Sequence, residues 1–444
     1  MGMYDVIIVG GGISGTSLLY TLSRFTSIKK LLLIEKYGDL ATLNSNSKNN
    51  AQTLHFGDIE TNYSIEESRR VKRDAQRVVA YCSMLDNRTR AETIQECQKM
   101  VLAVGEEEIE AISRTYKSGL RKLFPGLEMA DRKQIGRLEP NIVRGRKKGE
   151  VIAGLLSDTG YMMDFGRLTR LFAQDAKLVK GKDVDVMLGT RVKGMRKQAG
   201  TYRIDTEKGE YRARFVVFAT GSYSLYFAKS IGIDKNLSVL SVGGSFYISP
   251  RVLNGKVYRV QKGGIPFAAV HGDPDITNPH ITRFGPTVTV PPMLEKRHMD
   301  TIVDYMKTFD FDIPTFISLE KILFNKDIRR IVARNIEYEI PGLGRYEFLK
   351  KEAARIVPRL RYADLKKEGD LGGIRPQIVD ENRRSLVLGA GKIKQDGAIF
   401  TITPSPGASS CLGNALKDAL YITDYLGEDF YRERYTRELG RINA

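Results

Sequence analysis

The chain has 444 residues, of which 42% are hydrophobic and 28% charged, with a formal net charge of +17 at pH 7. That length supports two domains with sizeable cores, and that balance is one of a soluble globular protein. No apolar run approaches the roughly 18–20 residues of a membrane span, and the opening residues lack the basic and apolar regions of a signal peptide.

The three cysteines, Cys82, Cys97 and Cys411, have no metal or redox spacing, so reduced thiols, a cytoplasmic location and no metal are expected. The basic excess favours anionic partners: nucleic acid, lipid headgroups or an anionic substrate. No helix-turn-helix, zinc or RNA-binding signature is present, so nucleic acid is not expected as a partner. The basic clusters at Arg69–Arg73, Arg144–Lys148 and Arg432–Arg434 each read first as solvated faces.

In chain order, the apolar run Tyr4 to Val9 breaks at Gly10. The pattern Gly10-x-Gly12-x-x-Gly15 follows and opens a helical stretch. A second apolar run, Leu31 to Ile34, ends on Glu35. Gly10 allows the tight turn, Gly12 lets backbone approach a pyrophosphate, and Gly15 lets the helix pack close to the sheet. The helix N-terminus offers N–H groups and a positive dipole end to phosphates. Glu35 lies where a carboxylate accepts from ribose hydroxyls. A dinucleotide site is therefore expected.

Its N-terminal position suits FAD. So does the buried run Phe215 to Phe218, which closes on Ala219-Thr220-Gly221. No second fingerprint follows a strand, so a reductase that also binds a nicotinamide is not expected; electrons should enter from a substrate. Ile13 and Ser14 between the glycines, Lys36 after Glu35, and Val192 complete the expected contacts in this part of the cofactor site.

Residues 65–85 and 106–124 read as helix-rich. Asp164 is an N-cap candidate for a helix to Ala176. Val184 to Phe218 holds three strand-like runs (VDVML, TYRIDT, YRARFVVFA), read as a β-meander returning to the first sheet. Residues 240–300 are strand-rich, including Gly243–Ile248 and Thr287–Val290. Residues 299–368 are mostly helical, and a last helix starts near Ser409. The expected architecture is α/β: a discontinuous FAD-binding Rossmann-like domain with an α+β substrate domain on a mixed or antiparallel sheet. The expected FAD-domain parts are 1–85, 151–240 and 371–444. The intervening 86–150 and 241–370 would form the substrate side.

Several blocks together resemble the flavin-dependent malate:quinone oxidoreductases, within the D-amino-acid-oxidase-like group to which L-2-hydroxyglutarate dehydrogenase is related. They are Asn49-Asn50-Ala51-Gln52-Thr53-Leu54-His55 with Glu60-Thr-Asn-Tyr63; Ser245-Phe246-Tyr247 with Pro266 to His271 and Arg283 to Thr287; Gly373-Ile374-Arg375-Pro376-Gln377; and Thr403 to Ser410. One departure is Ala51-Gln52-Thr53-Leu54, where long family members have Gly-Thr-Gly before the histidine. The resemblance implies FAD, a 2-hydroxy acid such as (S)-malate, and a membrane quinone. It also implies peripheral association with the anionic inner face of the cell membrane. Asn49, Asn50, Ala51 and the turn Pro406, Gly407, Ala408, Ser409 become further flavin contacts. The bland reading of that turn is an ordinary helix start capped by Ser409 or Ser410.

Oxidising a 2-hydroxy acid needs a base for the hydroxyl proton, cations for carboxylates, and a donor or dipole for the reduced flavin. The resemblance makes His271 the expected base, with a buried structural histidine as its alternative. His55 either contacts flavin or substrate, or orders its loop. Arg375 and Arg283 are expected at a carboxylate, the alternative being an interdomain salt bridge. Competing readings are a 2-hydroxyglutarate dehydrogenase, an amino-acid oxidase of the same fold, and a basic flavoprotein that binds nucleic acid.

Overall fold

The computed structural model describes residues 2–233, 236–261, 269–309, 326–368, 371–383, 385–387, 391–402 and 407–442. Two stretches of the sequence motifs, Pro266–Ala268 and Thr403–Pro406, lie outside them, and with the latter the expected contact Pro406.

Strand β1 (Tyr4–Val9), helix α1 (Ile13–Phe25) and strand β2 (Lys30–Ile34) form the opening unit. Val6, Ile7 and Ile8 are fully buried because β1 lies inside a parallel sheet, between β2 and the strand Gly209–Phe218. The period of two splits β1 between two cores. Val6 and Ile8 face α1 and the helices Phe165–Lys177 and Cys411–Leu426. Ile7 and Val9 face Met195, Tyr202 and Ile204 of an antiparallel meander and Phe227 of the helix Tyr223–Ser230. Truncating one such residue to alanine costs roughly 2–5 kcal/mol.

Among the described residues the first sheet has eight strands, with a spine ordered Gly391–Gln395, Ala398–Ile402, Gly209–Phe218, β1, β2, Asp183–Met187. The meander is made by Val192–Gln198, Thr201–Thr206 and Gly209–Phe218. This corrects the sequence reading: the VDVML run pairs in parallel with β2 and is the sheet's edge. The meander's own first strand has three exposed residues at its end and shows little apolar alternation.

A second sheet also has eight strands and is antiparallel except where Lys256–Arg259 runs parallel to Ile94–Val104. A third, of three strands, pairs Leu237–Gly243 with Ile374–Asp380 and that with Ser385–Val387. The chain thus passes between the first two sheets repeatedly, as a discontinuous α/β architecture requires. The segment boundary at 151 is corrected, because Ile152–Met163 pairs along Ile94–Val104 in the second sheet. Likewise the piece from 371 onward opens in the third sheet before it rejoins the first. Thr287–Val290 makes only a single bridge, Thr289 to Gly243.

Candidate active site

The turn after β1 shows why these glycines are needed. Gly10 has φ +112°, and a Cβ there would lie 2.5 Å from the carbonyl oxygen of Ala219. On Gly15 a Cβ would meet the carbonyl of Gly10 at 2.0 Å, so any side chain would push α1 off the sheet. Gly15 therefore acts through packing and does not itself touch the cavity. Gly12 is the N-cap of α1 and has no side chain to cap it, which leaves the helix start open except for Ser45 Oγ, 2.9 Å from the N–H of Ile13.

That helix start opens on a cavity of about 580 Å³ running between the sheets. Gly10, Gly12, Ile13, Ser14, Glu35, Lys36, Val192, Ala219, Thr220 and Gly221 line one end. Asn49, Asn50, Ala51, His55, His271, Arg375, Gly407, Ala408 and Ser409 line the other. Glu35 accepts from the N–H groups of Gly11 (2.6 Å) and Tyr37 (2.9 Å). Burial raises its carboxyl above the ordinary range, and the two N–H donors offset only part of that. Lys36 lies over the rings of Tyr37 and Tyr223 and reaches Glu295 at 2.6 Å.

A helix N-terminus, a bare glycine turn and an acid at the end of β2 fit the pyrophosphate and ribose of a dinucleotide. At the far end the turn Gly407–Ser409 precedes the Cys411–Leu426 helix, whose N-cap Ser410 makes no side-chain cap bond. Ser409 is not a cap either: its Oγ accepts from the N–H of His55 at 2.8 Å. The uncapped helix leaves N–H groups for a flavin ring.

At the substrate end, the rings of His55, Tyr258 and His271 stand in a row. Centroids are 6.4 Å apart for His55 and Tyr258, and 4.6 Å apart, stacked, for Tyr258 and His271. His55 Nδ1 is hydrogen-bonded to Glu60 Oε1, which fixes the proton on Nδ1 and leaves Nε2 as the acceptor. Among the described residues Nε2 has no partner. Burial pushes the Glu60 carboxyl up, but His55 and the Lys99 cation outweigh it and hold it below the ordinary range. Behind this pair lies a fully buried network: Lys99 Nζ is 2.7 Å from Asp58 Oδ1, and Ser157 Oγ donates to Asp58 Oδ2 at 2.6 Å.

His271 is placed differently. It sits in the strand His271–Pro274 and is 1% exposed. Its Nδ1 is 3.0 Å from the carbonyl of Ala269, and Nε2 is 3.1 Å from Asp273 Oδ2. Burial would raise Asp273, but the charges of His271, Lys256 and Arg283 hold it below the ordinary range. Nε2 makes no hydrogen bond to that carboxylate but faces it, so the ring's one unbonded nitrogen is turned toward Asp273.

The two arginines also part company. Arg375, on the strand Ile374–Asp380, lines the cavity, and among the described residues it has no hydrogen-bond or ion-pair partner. Burial lowers its pKa, with only Tyr258 acting the other way. Arg283 does not reach the cavity. It is 1% exposed and donates to the carbonyls of Ser47 (3.0 Å), Lys48 (3.2 Å) and Asn50 (3.0 Å), with Asp275 at 3.4 Å. The expected carboxylate ligand is instead a clamp on the Asn49–Asn50 loop.

The sequence reading gave no role to Glu60 or Tyr258. Glu60 follows His55 by five positions in an irregular loop, a spacing with no periodic meaning. Tyr258 reads as an ordinary strand residue beside Val257, and only the pairing with His271 brings it to the site.

The family model "FAD dependent oxidoreductase" matches residues 5–397. The fold agrees with a solved L-alpha-glycerophosphate oxidase from Mycoplasma pneumoniae with FAD bound, at TM-score 0.66 and 18% identity, covering 100% of this chain and 99% of that one. Cavity and class together make FAD the cofactor. Among relatives, a malate:quinone oxidoreductase of Helicobacter pylori is 39% identical over 98% of both chains. A probable one of Campylobacter jejuni is 37% identical over 98% of this chain and 99% of its own. The chain belongs to the malate:quinone oxidoreductase family of FAD-dependent oxidoreductases.

Proposed function

We propose that this enzyme oxidises (S)-malate to oxaloacetate and passes the electrons to a membrane quinone, working at the anionic inner face of the cell membrane. The observation that carries the substrate class is Arg375: a half-buried guanidinium in a cavity wall, unpartnered among the described residues, calls for an anion. Its planar fork suits a carboxylate held at two points. FAD, when bound, supplies the acceptor for the hydride that leaves C2.

His55 takes the hydroxyl proton at Nε2. Glu60 keeps the Nδ1–H tautomer, aims the ring, and stabilises the cation that forms. Tyr258 keeps its proton, since burial first and Asp273 second push its pKa far up; its hydroxyl is 2.6 Å from Thr53 Oγ1. His271, stacked beneath it, supports the ring row. Among the described residues no helix is long and apolar enough to cross a membrane, so the quinone would be reached from the surface.

Anaerobic bleaching of the flavin by a panel of (S)-malate, L-2-hydroxyglutarate, lactate and amino acids tests the reading. Malate should reduce it fastest. Faster bleaching by 2-hydroxyglutarate would move the substrate, and bleaching by an amino acid alone would move the enzyme to the amine-oxidising class.

A further inference from the structure

Large exposed apolar side chains gather on one stretch of the substrate side. Ile336 is 57% exposed, Ile340 44%, Leu343 48%, Tyr346 51% and Tyr362 38%. They have a shared geometry. Ile336 and Ile340 are one turn apart at the end of the helix Lys326–Glu339, and Leu343 and Tyr346 are three apart on the helix Leu343–Phe348. The inward positions of the same helices, Asn335, Tyr338 and Phe348, are buried. Tyr362 joins this group through Arg345, whose guanidinium lies 3.7 Å from its ring centroid, and through its hydroxyl, 3.4 Å from the carbonyl of Gly342. Nothing in the described fold covers these side chains.

The charge around them is predominantly positive where it meets water. Within 333–368 the exposed charged residues are Arg334, Lys350, Arg359, Arg361, Lys366 and Lys367, against Glu368 alone among acids. The other acids are turned in or tied down. Glu352 is buried against Arg259 and Tyr338, Glu337 and Glu347 hold Lys351, Glu339 holds Lys367, and Asp364 holds Arg361. Lys350, Arg359 and Lys366 keep no acidic partner among the described residues.

We infer that this face, the ends of the two helices with Tyr362, docks the enzyme on an anionic lipid bilayer. Aliphatic side chains enter the boundary of headgroup and acyl chain. The tyrosines sit at the polar level. Long cations reach lipid phosphates while their stems stay on apolar surface. An RNA partner would use the cations and stack on the tyrosines, but it has no use for Ile336, Ile340 and Leu343. The inference rests on the membrane-quinone reading for its purpose, and its test is independent of turnover.

The holoenzyme is sedimented with vesicles of phosphatidylcholine alone and of phosphatidylcholine with phosphatidylglycerol. Wild type should pellet with the anionic vesicles and be released by salt. Ile336→Glu with Leu343→Glu should lower partition about tenfold or more, and Lys350→Gln with Lys366→Gln should lower it several-fold. All four positions are on the surface, so anaerobic flavin reduction by malate should match wild type in both variants. Wild-type partition in both variants overturns the proposal, as does equal binding of wild type to neutral vesicles. Binding of single-stranded RNA through the same residues, with no vesicle binding, also overturns it. Failure of malate to bleach the flavin while vesicle binding follows these residues would sink the substrate reading and leave the docking face standing.

Discussion

His55 and His271 both line the cavity, and each lies beside a carboxylate, Glu60 for one and Asp273 for the other. His55 is on an irregular loop with its side chain 18% exposed, and among the described residues only Nδ1 of the ring is engaged. His271 is inside a strand with its side chain 2% exposed; Nδ1 faces the carbonyl of Ala269, and Nε2 makes no hydrogen bond but lies 3.1 Å from Asp273 Oδ2. Proton transfer to or from a substrate needs one nitrogen held and the other free. Proximity of a histidine to a carboxylate is therefore not enough to mark a base; a free nitrogen clear of that carboxylate decides.

The largest effect that bears on this contrast is expected from His55→Asn. Flavin reduction by malate in stopped flow should slow by roughly 10²–10⁴-fold, the range of general-base catalysis, with FAD still bound. A wild-type rate would remove His55 and hand the role back to His271.

Next comes Arg375→Lys. Lysine keeps the charge but loses the fork, so malate should bind roughly 10–100-fold more weakly in a flavin-perturbation titration. Unchanged affinity would take Arg375 off the carboxylate.

Glu60→Gln should cost about tenfold in reduction rate, because no carboxylate then holds the Nδ1–H and stabilises the cation that forms. A wild-type reduction rate would make Glu60 a merely structural partner.

His271→Asn should slow reduction by less than tenfold, below the general-base range. A fall as large as that of His55→Asn would erase the distinction.

The smallest effect is on stability. Glu60 and Asp273 both have folded-state values held below the ordinary carboxylate range. The unfolded chain then binds protons more readily. What each contributes is complete at neutral pH and is lost as pH falls through and below about 4. The drop in Tm between pH 5 and pH 3 should shrink in Glu60→Gln; an equal drop would mean that the pair does not report on folding.

The cofactor end was readable from sequence because backbone builds it. Gly10, Gly12, Gly15 and Glu35 lie within one βαβ unit, and the constraints on them are local: a positive φ, a close approach, an acid at a strand end. The substrate end draws on positions near 55, 258, 271 and 375. Two sheets and a third small one bring them together, so spacing carries no trace of their geometry. Arg283 shows the limit well. Its place beside Gly285 and Pro286 suits a site residue, yet whether a guanidinium meets a ligand or three carbonyls depends on where residues 47–50 fold. The boundary at 151 meets the same limit, since the apolar run in Ile152–Met163 suits either sheet.

Arg283 belongs to the second sheet, and the carbonyls it holds belong to the loop that lines the cofactor cavity. It works as a rivet between two plates. Any opening that parts the sheets along this seam must first strip those bonds, each worth about 1 kcal/mol net and more to a charged donor, and leave a guanidinium stranded in a dry interior. Retention of the cofactor thereby becomes a property of how the two halves are fastened, as much as of the glycine turn that touches it.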